Sequence, residues 1–225
     1  MFSNLMFAKY SAIIFDLDGT LYKMRGGSYD RSPLKRYVQR NAVAYLAARL
    51  SISRSDAQAV LQSILAKHGE NISLGVEQEL GLDRYDYFKT AWNIPARLVV
   101  SKERNLRRNL SALKKRYRLV MVSDAPLVWT KNVLAELGVS DLFRSNIFSG
   151  EGNQRKGVRT AFPRVLKSLR LKPGRVVSVG DQEGSDIIPA KSLGLLTVFI
   201  SPTKKSSQAD FSVKSIAELT RLLLQ

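Results

Sequence analysis

The feature that most constrains the fold is an alternation of short apolar runs with amphipathic segments in the second half of the chain. Four runs are typical of strands: YRLVMVSD, NIFSG, RVVSVGD and LLTVFIS, which begin at residues 117, 146, 175 and 195. The segments LVWTKNVLAELG, TAFPRVLKSLR and DIIPAKSLG separate them and are typical of helices, as is the final SIAELTRLLL. Strands that alternate with helices predict right-handed crossovers and a mostly parallel sheet covered on both faces. The sequence therefore predicts an α/β fold.

A fifth apolar run, AIIF at residues 12–15, is followed by a long helical region rather than by the next strand. Between Tyr22 and about Pro95 no strand run is found, and the spacing of apolar residues predicts helices throughout. In one of these helices Ser53 or Ser55 would be the N-cap and Gly69 the stop. This inserted region predicts a second, smaller domain.

Composition limits both the chemistry and the partners. The 225 residues include no cysteine, which excludes disulfides, a thiolate nucleophile and Cys-ligated zinc. Signal-peptide features and membrane-length apolar runs are both absent, so we expect a cytoplasmic protein without a membrane partner. The 36 basic and 19 acidic residues give a net charge of +17, which attracts anions such as phosphorylated metabolites and nucleic acids. Composition indicates no oligomeric state.

Polar side chains follow three of the apolar runs at the point where each run ends. They are Asp16 and Asp18, then Ser123 and Asp124, then Asp181, Glu183 and Asp186. In open parallel sheets, ligands bind beyond the carboxyl ends of the strands. Gathered carboxylates repel one another, and a hard divalent cation is the common remedy. Mg²⁺ prefers oxygen ligands and keeps positions for water and phosphate, so this edge predicts metal-assisted chemistry on a phosphate.

The spacing of Asp16 and Asp18 suggests separate roles. Residues two apart in an extended segment face the same way, so both carboxylates could reach one substrate. One would serve as nucleophile and the other as proton donor and acceptor. The alternative is a turn with two solvated acids, because Asp and Gly favour turns. For Asp181 the alternative is the N-cap of a helix that begins near Ser185.

FDLDGTLY resembles the first motif of the haloacid dehalogenase superfamily of phosphotransferases, and the later motifs follow in the family's order. VMVSD resembles the second motif, Lys156 in EGNQRKG stands where the family's lysine precedes a helix, and VVSVGDQEGSDIIPAKSLGL is similar to the fourth motif. The resemblance implies a Rossmann-like core at residues 8–23 and 98–225, with an α-helical cap at 24–97. GLDRYDYFKTAW further resembles the pyrimidine 5′-nucleotidase-like branch.

The resemblance also implies a mechanism. Asp16 would attack phosphorus to form an aspartyl-phosphate, and Asp18 would protonate the leaving alkoxide and then activate water. Ser123 would hydrogen-bond a phosphoryl oxygen, while Lys156 would neutralise phosphoryl charge and hold Asp16 in place. The implied cofactor is Mg²⁺, held by Asp16, the Asp18 backbone carbonyl and Asp181, with Asp186 as a direct or supporting ligand. Asp18 favours phosphate-ester chemistry, because the superfamily's dehalogenases lack a carboxylate there.

A nucleoside 5′-monophosphate is the first substrate we expect from this resemblance, and a sugar phosphate or phosphoglycolate is the second. Phosphomutase activity stays open, because it uses the same first motif. Two departures from the branch bear on substrate fit. Asp124 stands where Asn is common, and Gly157 follows Lys156 where Pro is usual.

A hypothesis of another class is a basic nucleic-acid-binding protein with a secondary phosphatase-like core. Its footprint would be the net charge of +17, and the basic segment SKERNLRRNLSALKKRYR tests it. In a helix, Leu106, Leu110 and Leu113 of this segment would share one stripe and the basic residues would lie opposite, as on the solvated face of a core-packed helix. Aromatic residues do not interleave with the basic ones as a stacking platform would need. A solvated surface is therefore the favoured interpretation.

Overall fold

The computed structural model describes residues 6–151 and 161–225. In chain order its strands are β1 (Ala12–Phe15), β2 (Lys23–Met24), β3 (Val100–Ser101), β4 (Arg118–Ser123), β5 (Ile147–Ser149), β6 (Val176–Gly180), β7 (Leu196–Ile200) and β8 (Phe211–Val213). Its α-helices are α1 (Pro33–Leu50), α2 (Arg54–His68), α3 (Ile72–Leu80), α4 (Arg84–Ala91), α5 (Leu106–Lys114), α6 (Leu127–Glu136), α7 (Ser140–Phe143), α8 (Ala161–Leu169), α9 (Ile188–Ser192) and α10 (Ile216–Leu224).

The chain divides into two units. We call Met1–Lys23 with Val100–Gln225 the core unit, and Met24–Val99 the inserted unit. The core unit holds a parallel sheet with the strand order β5-β4-β1-β6-β7-β8. Strand β1 therefore lies between β4 and β6, and Phe15 aligns with Met121 on one side and Val179 on the other. The predicted α/β class with a mostly parallel sheet is confirmed.

Both faces of the sheet are covered, which explains why the strands are continuous apolar runs. On one face Ile14 and Val120 pack in a buried cluster with Phe162 of α8. On the other face the ring of Phe15 meets that of Phe143 edge to face, with 6.2 Å between centroids. A parallel strand that is buried on both sides needs apolar residues at successive positions rather than at alternate ones.

The inserted unit is helical and has a core of its own. Helix α2 begins after Ser53, whose Oγ accepts a hydrogen bond from the Asp56 amide at 3.1 Å, and it ends before Gly69 at φ +56°. The prediction of a cap at Ser53 and a stop at Gly69 is therefore confirmed. Apolar residues from all four helices form one buried cluster, including Leu46, Leu61, Val76 and Phe88.

The prediction of no strand between Tyr22 and Pro95 is wrong at β2. Strand β2 has two residues, neither of them buried, and pairs with β3 where the chain passes between the units. Backbone pairing over two residues needs no apolar run, so periodicity could not indicate it. For the same reason the three-residue β8 at the edge of the sheet was not predicted.

The basic segment forms α5, and its leucine stripe is buried as expected. On the exposed side, both guanidinium nitrogens at the tip of Arg107 bind the Asp141 carboxylate, at 2.7 and 2.9 Å. These contacts are those of a solvated helix face, and nucleic-acid binding stays a prediction. Within residues 6–151 and 161–225 no helix combines the length and the apolar character needed to cross a bilayer.

Candidate active site

Three neighbouring strands bring polar side chains to one edge of the core-unit sheet. Beyond the end of β1, the Asp16 amide donates to the Val179 carbonyl at 2.9 Å, so the ladder continues one residue past the strand. Strand β4 ends at Ser123, and Asp181 follows β6. Because these strands are adjacent and parallel, their carboxyl ends share an edge, where α/β sheets bind ligands.

Three carboxylates meet at this edge. One oxygen from each of Asp16, Asp181 and Asp186 lies within 4.8 Å of the other two. Asp16 and Asp186 are buried, with 6% and 2% exposure. Carboxylates at this separation repel one another, and a hard divalent cation bound by their oxygens offsets that repulsion. The all-oxygen donor set therefore fits Mg²⁺.

Asp186 lies in a single π-helical turn, Glu183–Ile187. Its Oδ2 accepts a hydrogen bond from the Gln182 amide at 3.0 Å, and its backbone carbonyl accepts one from Ser178 Oγ at 3.0 Å. The residue that precedes the turn is Gln182, so the alternative of Asp181 as an N-cap is wrong.

Two glycines make room for these carboxylates. A Cβ at Gly19, which has φ +93°, would overlap the Asp181 carboxylate. A Cβ at Gly180 would likewise overlap the carboxylate of Asp186. The backbone therefore approaches the acidic side chains too closely for any other residue type, which indicates that this edge is built around them.

Replacement of Gly180 by alanine is expected to lower the free energy of unfolding by about 1–3 kcal/mol, because the new methyl group must displace the fixed Asp186 side chain. Urea denaturation measures the effect. Gly184→Ala is the matched control, since a Cβ there meets nothing within 4 Å and should change stability by less than about 0.5 kcal/mol. Equal effects at the two positions would contradict the close packing inferred for Gly180.

The Asp18 carboxylate has different surroundings. Within the described residues, Asp18 is not one of the carboxylates that lie within 4.8 Å of one another. Its Oδ1 accepts hydrogen bonds from the Tyr22 hydroxyl and, at 3.1 Å, from Trp129 Nε1. Burial and the Asp18 charge raise the pKa of Tyr22 well above its usual range, so this hydroxyl stays protonated and can donate. The two aspartates of the first motif are thus separated chemically.

The other two predicted residues bear on phosphate binding. Ser123 is buried, and its Oγ accepts a hydrogen bond from the Ala125 amide at 3.1 Å. Because Oγ is the acceptor in that contact, the hydroxyl hydrogen can still be donated to a phosphoryl oxygen. Lys156 lies outside the described residues, and its role stays a prediction.

Three residues of the site were not assigned a site role from the sequence: Tyr22, Trp129 and Gly180. Tyr22 ends the first motif, FDLDGTLY, and could have been found from its place there. Trp129 belongs to α6 and meets Asp18 across 111 positions of the chain, a contact that no local pattern signals.

Comparisons with known proteins indicate the family to which the chain belongs. A family model described as haloacid dehalogenase-like hydrolase matches residues 10–194. The chain is 27% identical over 225 residues to the glyceraldehyde 3-phosphate phosphatase of Methanocaldococcus jannaschii, covering 94% of this chain and 96% of that protein. It is 31% identical over 102 residues to the ribulose-1,5-bisphosphate 5-phosphatase of Halopiger xanaduensis, covering 40% and 43%.

Among solved structures, a HAD phosphatase from Thermococcus onnurineus is similar with a TM-score of 0.63 and 24% identity, covering 95% of this chain and 97% of that chain. This similarity supports the Rossmann-like fold. The family match includes the ends of β1, β4 and β6, where Asp16, Ser123 and Asp181 lie. The family predicted from the motifs is thereby confirmed: the chain belongs to the haloacid dehalogenase-like hydrolases and is an enzyme of their phosphatase branch.

Proposed function

We propose that the protein hydrolyses a small phosphate monoester with the help of Mg²⁺, by way of an aspartyl-phosphate on Asp16. The observation that carries this proposal is the contrast between the two aspartates of the first motif. Among the described residues, Asp16 belongs to a group of carboxylates that could hold a metal, whereas Asp18 lies outside that group and its Oδ1 accepts hydrogen bonds from Tyr22 and Trp129. The mechanism needs this difference in surroundings, because Asp16 must bind both phosphorus and the metal while Asp18 must exchange a proton.

The metal would be held by the carboxylates of Asp16, Asp181 and Asp186, together with the Asp18 backbone carbonyl. When bound, Mg²⁺ neutralises phosphoryl charge and so stabilises the charge that develops in the transition state.

In the first step an oxygen of Asp16 forms a bond to phosphorus, and the bond from phosphorus to the alcohol oxygen breaks. Asp18 gives its proton to that leaving oxygen, which departs as the free alcohol. The Ser123 hydroxyl donates to a phosphoryl oxygen, and Lys156 would add a positive charge. In the second step Asp18 takes a proton from water, whose oxygen attacks phosphorus and releases inorganic phosphate and the Asp16 carboxylate.

The substrate class rests on the relatives and on the inserted unit, Met24–Val99. We assign this unit the role of a cap, which would exclude bulk water and favour small organic phosphates. A relative that aligns over nearly its full length is named a glyceraldehyde 3-phosphate phosphatase. A three-carbon sugar phosphate is therefore the first substrate to test, ahead of nucleoside 5′-monophosphates and phosphoglycolate.

Phosphate release should be measured on this panel of esters, with Mg²⁺ and then with a chelator. We expect release from at least one small ester with Mg²⁺, and a loss of at least about a hundredfold with the chelator, because charge neutralisation at phosphorus is lost. Re-addition of Mg²⁺ is the control for protein damage. Turnover of no ester would overturn the proposal. Conversion of a sugar phosphate to its isomer without phosphate release would indicate a phosphomutase instead.

A further inference from the structure

We propose that Tyr22 and Trp129 are positioning residues for Asp18, which fix its carboxyl group so that Oδ2 exchanges the proton with the substrate. This inference rests on the proposed function, in which Asp18 is the acid/base. It is carried by two hydrogen bonds that converge on a single oxygen, Oδ1, from donors that are both buried.

The Tyr22 contact follows from a closed turn after β1. Gly19 has φ +93°, the Leu21 amide donates to the Leu17 carbonyl at 3.0 Å, and Asp18 and Tyr22 form an isolated backbone bridge. These features bring the chain back on itself, so that the Tyr22 hydroxyl reaches the carboxylate four residues earlier. The same turn thus supplies both the acid/base and one of its donors.

The Trp129 contact, together with that of Tyr22, determines which oxygen of Asp18 carries the proton. Its indole lies on α6, which follows Ser123, and is fully buried at 0% exposure. An indole N–H can only donate, so Oδ1 must remain an acceptor in every protonation state in which the contact persists. An oxygen that accepts both hydrogen bonds has no lone pair left for a proton, so while both contacts persist the transferred proton is carried by Oδ2. Loss of the contact would leave a buried N–H without its acceptor, which favours its persistence.

The two donors also keep the acid/base apart from the metal ligands. Asp16 and Asp18 are two residues apart, and a freely rotating Asp18 carboxylate would be attracted to the same cation. With Oδ1 bound by Tyr22 and Trp129, the Asp18 carboxylate stands outside the group formed by Asp16, Asp181 and Asp186. The hydrogen bonds to Asp18 thus keep the acid/base separate from the metal ligands, as the mechanism requires.

The test uses leaving groups that differ in their need for a proton. Glyceraldehyde 3-phosphate or another alkyl ester that the enzyme turns over has a poor leaving group, whereas 4-nitrophenyl phosphate releases a stable anion. The value of kcat/KM reports events up to phosphoryl transfer, so it isolates the acid step. Trp129→Phe and Tyr22→Phe should each lower kcat/KM about tenfold or more for the alkyl ester, but less than about threefold for the aryl ester.

Two further variants are needed: one shows how large the effect is when the acid/base itself is lost, and the other is a control for the loss of a buried hydroxyl. Asp18→Asn should show the same preference for the aryl ester, with a larger loss on the alkyl ester. Tyr117→Phe removes another buried hydroxyl, which donates to the Leu223 carbonyl at 2.8 Å far along the chain from the motif, and should leave the ratio between the esters unchanged. Thermal unfolding of each variant verifies that it is folded.

Each outcome decides a separate point. If Asp18→Asn shows the leaving-group dependence but both positioning variants keep the wild-type ratio, the positioning role is overturned and the proposed function stands. Equal losses on both esters would make Tyr22 and Trp129 structural residues only. If Asp18→Asn itself shows no leaving-group dependence, the acid/base role and the positioning role both fail. Should Trp129→Phe not fold, Tyr22→Phe carries the test alone.

Discussion

Asp16→Asn is expected to lower phosphate release by about 10⁴-fold or more, because an amide cannot serve as the nucleophile that the mechanism requires. Asparagine has nearly the same shape, so the buried position should still be filled. The covalent intermediate gives a second measurement. Acid quenching of the wild-type reaction followed by mass spectrometry should place one phosphoryl group on Asp16, and none on the variant.

Asp141→Asn is the matched control for this replacement. It makes the same chemical change at an exposed position on α7, where the carboxylate pairs with the guanidinium group of Arg107. Its phosphate release should equal that of the wild type. A wild-type rate for Asp16→Asn, or a phosphoryl group found on another residue, would refute the covalent mechanism.

Asp181→Asn should change stability in opposite directions with and without Mg²⁺. In metal-free protein it removes one of three carboxylates that lie within 4.8 Å of one another, and relief of repulsion should raise the free energy of unfolding by about 1–3 kcal/mol. With Mg²⁺ the order should reverse, since the variant has lost a ligand and gains less from binding. Thermal unfolding over a series of Mg²⁺ concentrations measures both effects.

The apparent Mg²⁺ affinity from that series should fall at least about tenfold in Asp181→Asn. Asp141→Asn again provides the comparison, since it removes the same charge elsewhere and should keep the wild-type dependence on Mg²⁺. If the melting temperature of the wild-type protein does not respond to Mg²⁺, the three carboxylates are not a binding site for this metal. That result would leave the covalent role of Asp16 to be judged by its own experiment.

The positions of the polar residues at the strand ends could be predicted, because each one directly follows an apolar run in the sequence. Asp16 follows an uninterrupted apolar run, and Asp181 follows another, so their place in a parallel sheet follows from strand order alone. Ser53 could be identified as an N-cap for a similar reason, since capping depends on residues within one turn.

Long-range contacts could not be predicted in this way. The meeting of Trp129 with Asp18 depends on how α6 packs against the end of β1, which no single segment encodes. The two-residue β2 and the π-helical turn that holds Asp186 depend on backbone pairing and on buried hydrogen bonds rather than on periodicity. The need for glycine at position 180 comes from the Asp186 carboxylate that lies against its backbone, a contact that no local pattern signals.

The position of β1 between β4 and β6 has a consequence for biosynthesis. When the ribosome has completed the first strand and the inserted unit, the nascent chain carries Asp16 but neither Ser123 nor Asp181. The strands on both sides of β1 are translated only later, and non-local parallel pairing is slow to form. Catalytic competence is therefore delayed until β6 and Asp181 have been translated, and a translation product interrupted before β4 would carry the nucleophile without the means to use it.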